Sequence, residues 1–155
     1  MTKRAVILNL AVCFAAAAVC LAAPNPLMGK WKLNEGKSKL SADGPRNHTV
    51  TYSSAGDSVK VTVDGTDKAG KATHNEWTGK FDGKSYPVTG DASHDMRSYR
   101  KVNSRTLSIR NTKAGKLTAS GTITVSGNGK MRTVTTRARN AKGVWMSSTA
   151  VYDKQ

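Results

Sequence analysis

Three histidines, His48, His74 and His94, could bind a metal ion together with carboxylates. His74 and Glu76 lie two positions apart, so a β-strand would place both side chains on one face. A zinc site needs at least three ligands from the protein, and this pair supplies two. The pair is interpreted as polar pairing at the surface, and no metal site is predicted.

Catalytic motifs are absent from the sequence. Serine is frequent, but no Gly-x-Ser-x-Gly arrangement places it on a strand-to-helix turn as a nucleophile. The ten acidic residues fall mostly in turns, where aspartate caps the backbone. No glycine-rich loop precedes a helix in the form that holds phosphate. The sequence therefore predicts that the protein is not an enzyme and that it carries no cofactor.

The first 22 residues are predicted to be a secretory signal peptide. Met1–Arg4 is basic, an apolar run follows from Ala5 to Ala23, and the run ends in small residues before Pro24. Cleavage after Ala22 is preferred, because cleavage after Ala23 would leave Pro24 beside the scissile bond. The alternative is an uncleaved membrane anchor, since the apolar run is nearly long enough to cross a bilayer.

Cleavage would leave residues 23–155 as one domain, in the periplasm or outside the cell. Both cysteines, Cys13 and Cys20, would be removed, so no disulfide would stabilise the exported domain. Removing 22 of the 155 residues leaves 133, and the loss of Lys3 and Arg4 leaves 23 basic against 10 acidic residues. The formal charge of +13 favours anionic partners at long range.

The elements that must position any site are predicted to be short β-strands joined by glycine-containing turns. In Ser58–Val63, three valines alternate with polar residues, which is typical of a half-buried strand. Turns such as Ala55–Asp57 and Gly127–Gly129 suit tight hairpins. The predicted strands are Leu27–Leu33, Thr49–Ser53, Ser58–Val63, Ala72–Phe81, Ser85–Val88, Asp95–Val102, Arg105–Asn111, Lys116–Ser126, Met131–Ala138 and Val144–Asp153.

About ten strands without a convincing helix indicate an antiparallel meander. Such a meander must close or split into two sheets to remove its edges. In a closed barrel the strand of Trp31 would pair with the last strand, near Val151 and Tyr152. The connection Asn34–Arg46 is polar and predicts at most one helical turn, around Ser38–Leu40. Many inward positions carry Thr, Ser, Gly or Ala, so the interior has room for a cavity.

Three stretches resemble a known superfamily. Leu27–Leu33, which contains Gly29-x-Trp31, resembles the opening strand of the calycins, which include the lipocalins and the fatty-acid-binding proteins. Ala150–Lys154 is similar to the last strand of fatty-acid-binding proteins, and Phe81–Val88 to small exported lipocalin-like proteins of bacteria. The resemblance implies an all-β, up-and-down antiparallel barrel of about eight to ten strands, with Gly29 and Trp31 as its structural signature.

The chain departs from the fatty-acid-binding proteins at two places. Their helical lid follows the first strand, where Asn34–Arg46 is too short and polar to form one, so no lid is expected. They hold a ligand carboxylate with an arginine two residues before a tyrosine of the last strand. Tyr152 matches that tyrosine, but Ala150 stands at the arginine position, which leaves the carboxylate-binding group incomplete.

The resemblance also implies a small lipophilic ligand, of unknown identity, inside the barrel. Its candidate contacts are aromatic, because aromatic side chains offer large apolar surfaces. Aromatic residues equally dominate small cores, so the alternative is that these residues only fill the barrel. The candidates are Tyr52, Trp77, Tyr99, Trp145 and Tyr152.

A second hypothesis places the function on the barrel exterior. The basic runs Arg97–Lys101 and Arg132–Arg139 would suit an anionic envelope polymer, an anionic lipid or a protein partner. Nucleic-acid binding needs exposed aromatics within a basic stripe, and residues 23–155 contain only eight aromatics. No nucleic-acid partner is expected, membrane contact is expected only through the signal peptide, and the protein is expected to be a monomer.

Overall fold

The structure is a computed structural model that describes residues 24–140 and 142–155. The predicted signal peptide, residues 1–22, lies outside the described residues. The described chain forms one closed barrel of ten antiparallel strands. These strands are β1 (Gly29–Leu33), β2 (Arg46–Ala55), β3 (Ser58–Thr66), β4 (Ala72–Gly79), β5 (Tyr86–Thr89), β6 (Met96–Asn103), β7 (Thr106–Lys113), β8 (Lys116–Val125), β9 (Met131–Arg139) and β10 (Trp145–Lys154).

Closure of the barrel follows the up-and-down order that the sequence predicts. Each strand pairs with the next one along the chain, and β1 pairs with β10. Trp31 lies opposite Lys154, and Leu33 lies opposite Tyr152. The Trp31 side chain has no exposed surface, and its indole Nε1 donates a hydrogen bond to the Leu27 carbonyl oxygen at 3.4 Å. The predicted packing of the Trp31 strand against the last strand is confirmed.

The connection after β1 contains no helical lid, as expected. Its single helical turn lies earlier in the chain than the sequence predicts. A single 3-10 turn spans Glu35–Lys37, where the prediction has it around Ser38–Leu40. The cause is Asn34, whose side-chain oxygen accepts a hydrogen bond from the Lys37 backbone N–H at 3.1 Å and caps the turn early. In the part of the chain that the structure describes, no helix has the length and apolar character needed to cross a membrane.

Strand lengths differ from the predictions mainly where polar residues continue a ladder. β2 begins at Arg46 and ends at Ala55, beyond the predicted Thr49–Ser53, because its polar ends still pair with β3 through the backbone. β4 ends at Gly79, before the predicted Phe81. A Cβ atom at Gly79 would lie 2.6 Å from the Tyr86 ring, so only glycine allows that ring to cross the strand end.

Candidate functional site in the barrel interior

Aromatic rings fill one end of the barrel, which we call the closed end. Trp77 stacks on Phe81 with ring centroids 6.4 Å apart and an interplanar angle of 10°. Tyr99 meets Trp77 edge-on at 4.7 Å, and Tyr52 meets Tyr99 edge-on at 6.3 Å. Edge-to-face and offset stacked rings pack favourably, so this end is a solid hydrophobic plug.

Arg132 is buried among these rings. Its side chain is 2% exposed, and its guanidinium carbon Cζ lies 5.3 Å from the Trp31 ring, 5.1 Å from the Tyr52 ring and 4.5 Å from the Tyr152 ring. Within the described residues its Nε and Nη1 atoms have no hydrogen-bond partner. Ring faces therefore take the place of oxygen acceptors, through cation–π contacts worth about 2 kcal/mol each when desolvated.

A second buried arginine, Arg97, lies nearer the other end of the interior and is 6% exposed. Its Nε donates to Asn111 Oδ1 at 2.9 Å, its Nη1 to Asn75 Oδ1 at 3.4 Å, and its Nη2 to Asp91 Oδ2 at 3.5 Å. The Arg97 carbonyl oxygen accepts the indole N–H of Trp77 at 2.9 Å. This polar cluster therefore lies directly against the aromatic plug and ties it to β4 and β7.

Between the plug and the far end, three apolar side chains with inward parity are only partly buried. Ile109, Val134 and Ala150 lie in the middle of β7, β9 and β10 and have the inward parity of Leu107, Arg132 and Tyr152. They pack against the core but are only partly buried. Inward side chains at mid-strand become fully buried when a barrel is filled. The far end, which we call the open end, has small inward residues, namely Thr136, Ala138 and Ser148.

The structure separates the five predicted ligand contacts into two groups. Tyr52, Trp77, Tyr99 and Tyr152 are all inside the barrel and are at most 4% exposed. Their rings belong to the plug and to the surroundings of Arg132. Trp145 lies on the outer face of β10, where it contacts Arg137 and Arg139 of β9. Trp145 therefore cannot share a site with the other four.

Burial shifts the pKa values of three side chains, Tyr52, Tyr152 and His94. Desolvation raises the pKa of the Tyr52 hydroxyl well above its usual range, and it also raises the pKa of Tyr152. Burial lowers the pKa of His94, while the nearby Asp91 carboxylate opposes that shift. The hydroxyls of Tyr52 and Tyr152 therefore remain neutral at physiological pH.

The histidines bind side chains of the protein and form no metal site within the described residues. His74 Nδ1 lies 2.6 Å from Asp64 Oδ1, and His74 Nε2 lies 3.5 Å from Glu76 Oε1, so the predicted surface pairing of His74 and Glu76 is confirmed. The hydrogen bond to Asp64 is the main cause that raises the pKa of His74. His48 lies 3.2 Å from the Thr66 hydroxyl, and His94 lies 2.8 Å from the Thr118 hydroxyl.

The buried roles of Arg97 and Arg132 are the main features that the sequence interpretation missed, because both belong to runs interpreted as solvated surface. The signal was available in the strand parity. Arg97 is two residues from Tyr99, and Arg132 is two residues from Val134, so each shares the inward face of its strand.

The chain was compared with models of protein families and with curated proteins. No model of a protein family matches the chain, and a search of curated proteins finds no match either.

Proposed function

We propose that the protein binds a small, largely apolar molecule in the lumen between the aromatic plug and the open end of the barrel. The supporting observation is that Ile109, Val134 and Ala150 face inward at mid-strand and remain partly exposed. Binding sites for small molecules are mostly apolar concavities with a few polar groups that orient the ligand. Arg97 and its amide partners would supply those polar groups beside the apolar wall.

The proposed role is binding, without a catalytic step. It agrees with the function implied by the sequence resemblance to the calycin barrels, which carry ligands inside. We place the role outside the cytoplasm because of the predicted signal peptide. Cell fractionation with an antibody against the protein would test that location, and a purely cytoplasmic signal would contradict it.

A large side chain that fills the proposed lumen tests whether a ligand binds there. Ile109→Trp should abolish ligand binding, because the indole would occupy the space beside Tyr99, the residue opposite Ile109 on β6. Thr78→Trp is the matched control, since Thr78 is exposed on the outer face of β4. The measurement is native mass spectrometry of each protein purified from its own producing cells, with tryptophan fluorescence during titration with a panel of lipids.

We expect a co-purifying molecule in the native protein and in the Thr78→Trp variant, and none in Ile109→Trp. Ligand in the lumen should also change the fluorescence of Trp77, whose ring packs on Tyr99. A native protein without bound molecules and without a fluorescence response to any lipid of the panel would refute the proposal.

A further inference from the structure

The charge of the barrel is concentrated on one side. Residues 96–152, which form β6 to β9 and most of β10, contain twelve basic residues and no aspartate or glutamate. Residues 24–95 contain ten basic and nine acidic residues. Because consecutive strands are neighbours in the barrel, this asymmetry along the sequence is also an asymmetry in space.

The positive charge of this half is available to a partner. Ten of its twelve basic residues are exposed, and the other two are the buried Arg97 and Arg132. Among the described residues none of the ten exposed cations forms an ion pair. An unneutralised cluster of this kind attracts polyanions and accelerates their association.

Trp145 holds two of these cations in place. The guanidinium carbon of Arg139 lies 4.9 Å from the Trp145 ring, and that of Arg137 lies 5.6 Å from it. An arginine side chain that is already stacked on an aromatic ring loses less conformational entropy when its planar guanidinium group binds a carboxylate. The guanidinium groups of Arg137 and Arg139 are therefore partly fixed in position before a partner binds.

A shallow depression with a hydroxyl-rich wall adjoins these arginines. Its volume is about 250 Å³, and it crosses the outer faces of β8, β9 and β10. Enclosed pockets for whole ligands usually measure roughly 300–1,000 Å³, so this depression suits one unit of a longer chain. Ser120, Thr122, Thr135 and Ser147 line it, together with Arg137.

We propose that this surface binds an acidic polysaccharide. Sugar carboxylates would bind the forks of Arg137 and Arg139, and sugar hydroxyls would exchange hydrogen bonds with the serine and threonine hydroxyls of the depression. Trp145 acts here as a positioning residue. The surface lies outside the barrel, so it does not depend on ligand binding in the lumen. We call it the β8–β10 surface, and it consists of Ser120, Thr122, Thr135, Arg137, Arg139, Trp145 and Ser147.

Other polyanions fit this surface less well. Anionic lipid attracts any basic surface, but firm membrane binding also uses a cluster of apolar side chains that enter the lipid. The large exposed apolar residues are Val102 near the β6–β7 turn and Val144 and Met146 near the β9–β10 turn, which lie at opposite ends of the barrel. A single-stranded nucleic acid needs several stacking aromatics, whereas Trp145 is the one aromatic of residues 96–152 on the outside.

The test measures binding of the purified protein to alginate, a polymer of uronic acids, with neutral dextran as the reference. Removing both arginine forks in the variant Arg137→Gln/Arg139→Gln should weaken alginate binding about tenfold, since two charge-assisted contacts are lost. Lys71→Gln/Lys80→Gln removes the same charge from the other half of the barrel, at exposed positions. This control should change the affinity less than about twofold, because screening limits the effect of distant charges.

A second variant separates recognition from charge. Arg137→Lys/Arg139→Lys keeps the charge but lacks the planar fork, so its affinity should fall several-fold, and Trp145→Ala should have a similar effect. Thermal unfolding of each variant verifies that it is folded.

The proposal is overturned if Lys71→Gln/Lys80→Gln weakens alginate binding as much as Arg137→Gln/Arg139→Gln does, or if Arg137→Gln/Arg139→Gln binds alginate like the native protein. It is also overturned if phosphatidylglycerol vesicles or single-stranded DNA bind as tightly as alginate.

Discussion

Arg97 and Arg132 are both buried in the same barrel, yet the protein accommodates their charges in different ways. Around Arg97, two amide oxygens and one carboxylate oxygen accept directed hydrogen bonds. Around Arg132, three aromatic rings present their faces, and within the described residues no acidic side chain pairs with it. The first environment is directional and polar, whereas the second is apolar and depends on shape.

This difference determines what each guanidinium contributes. Removing Arg97 would leave the buried side-chain oxygens of Asn75 and Asn111 without this donor, and unpaired polar groups are costly when buried. Asp91 would lose the contact at Oδ2 but keep the backbone N–H groups that donate to Oδ1. Removing the charge of Arg132 would take a hydrogen-bond donor only from the Tyr152 hydroxyl, because the other neighbours of Arg132 are ring faces. An apolar side chain of similar length should therefore be harmful at position 97 and tolerated at position 132.

The largest change in the free energy of unfolding is expected from removing one of the three rings that surround Arg132. Trp31→Ala deletes a fully buried ring that packs against Arg132 and Lys154 at the seam between β1 and β10. The free energy of unfolding should fall by about 3–5 kcal/mol, the usual range for deleting a large buried aromatic residue. Urea unfolding of the native protein and the variant measures this change.

Trp145→Ala is the control for the same experiment, because Trp145 lies on the outer face of the barrel. Its unfolding free energy should stay within about 1 kcal/mol of the native value. An unchanged urea midpoint for Trp31→Ala would show that the seam does not stabilise the fold, and the importance of the closed end would be refuted.

The next largest effect concerns Arg97. Arg97→Met should lower the unfolding free energy by about 2–4 kcal/mol, because two buried amide oxygens and a partly buried carboxylate lose their donor. The hydrogen bond that the Trp77 indole donates to the backbone of residue 97 can remain, so the loss reports on the guanidinium itself. Urea unfolding at neutral pH measures it, and a variant as stable as the native protein would contradict the assigned role.

Arg132→Met provides the contrast. Its unfolding free energy should be unchanged or up to about 2 kcal/mol higher, since the cost of burying the guanidinium charge offsets the cation–π contacts that methionine gives up. Comparison of the two methionine variants in one unfolding series tests the difference between the environments directly. A loss at position 132 as large as that at position 97 would mean that Arg132 has acceptors equivalent to those of Arg97.

The smallest change in stability is expected from replacing His94 or His74, whose pKa values are shifted in opposite directions. The pKa of His94 is lowered from 6.5 by burial, a shift to which Arg97 and Lys113 add and which Asp91 opposes. As the pH falls below about 6.5, the unfolded chain takes up this proton first, so the folded state loses stability. The pKa of His74 is raised from 6.5, mainly by its hydrogen bond to Asp64, so its contribution is present below that pH and is lost as the pH rises.

The histidine variants should therefore change the pH dependence in opposite directions. Between about pH 7.5 and pH 5.5, which bracket the ordinary histidine pKa, His94→Gln should lose less stability than the native protein. His74→Gln should lose more. Urea midpoints at the two pH values decide the matter, and variants whose midpoints shift in parallel with the native protein would contradict both assignments.

Much of this fold could be predicted from alternation and turns. Valines at every second position and glycines in the turns indicate the strands and hairpins, and the need to remove strand edges requires β1 to meet β10. The interior was harder to predict, because a basic residue in a strand is usually solvated. Strand parity places Arg132 on the inward face of β9, but the rings that surround it, Trp31, Tyr52 and Tyr152, come from three other strands, and no local pattern shows that they meet.

The pairing of β1 with β10 also determines the order of events when the chain folds. Trp31 and its partner Lys154 are far apart in the sequence, so a ribosome must have synthesised the chain through β10 before the barrel can close. Contacts of such high sequence separation also form slowly. Until β10 arrives, β1 and β9 each present an unpaired edge. The barrel therefore stays open until β10 has been synthesised, and an open chain is the condition in which a polypeptide can be threaded through a narrow pore.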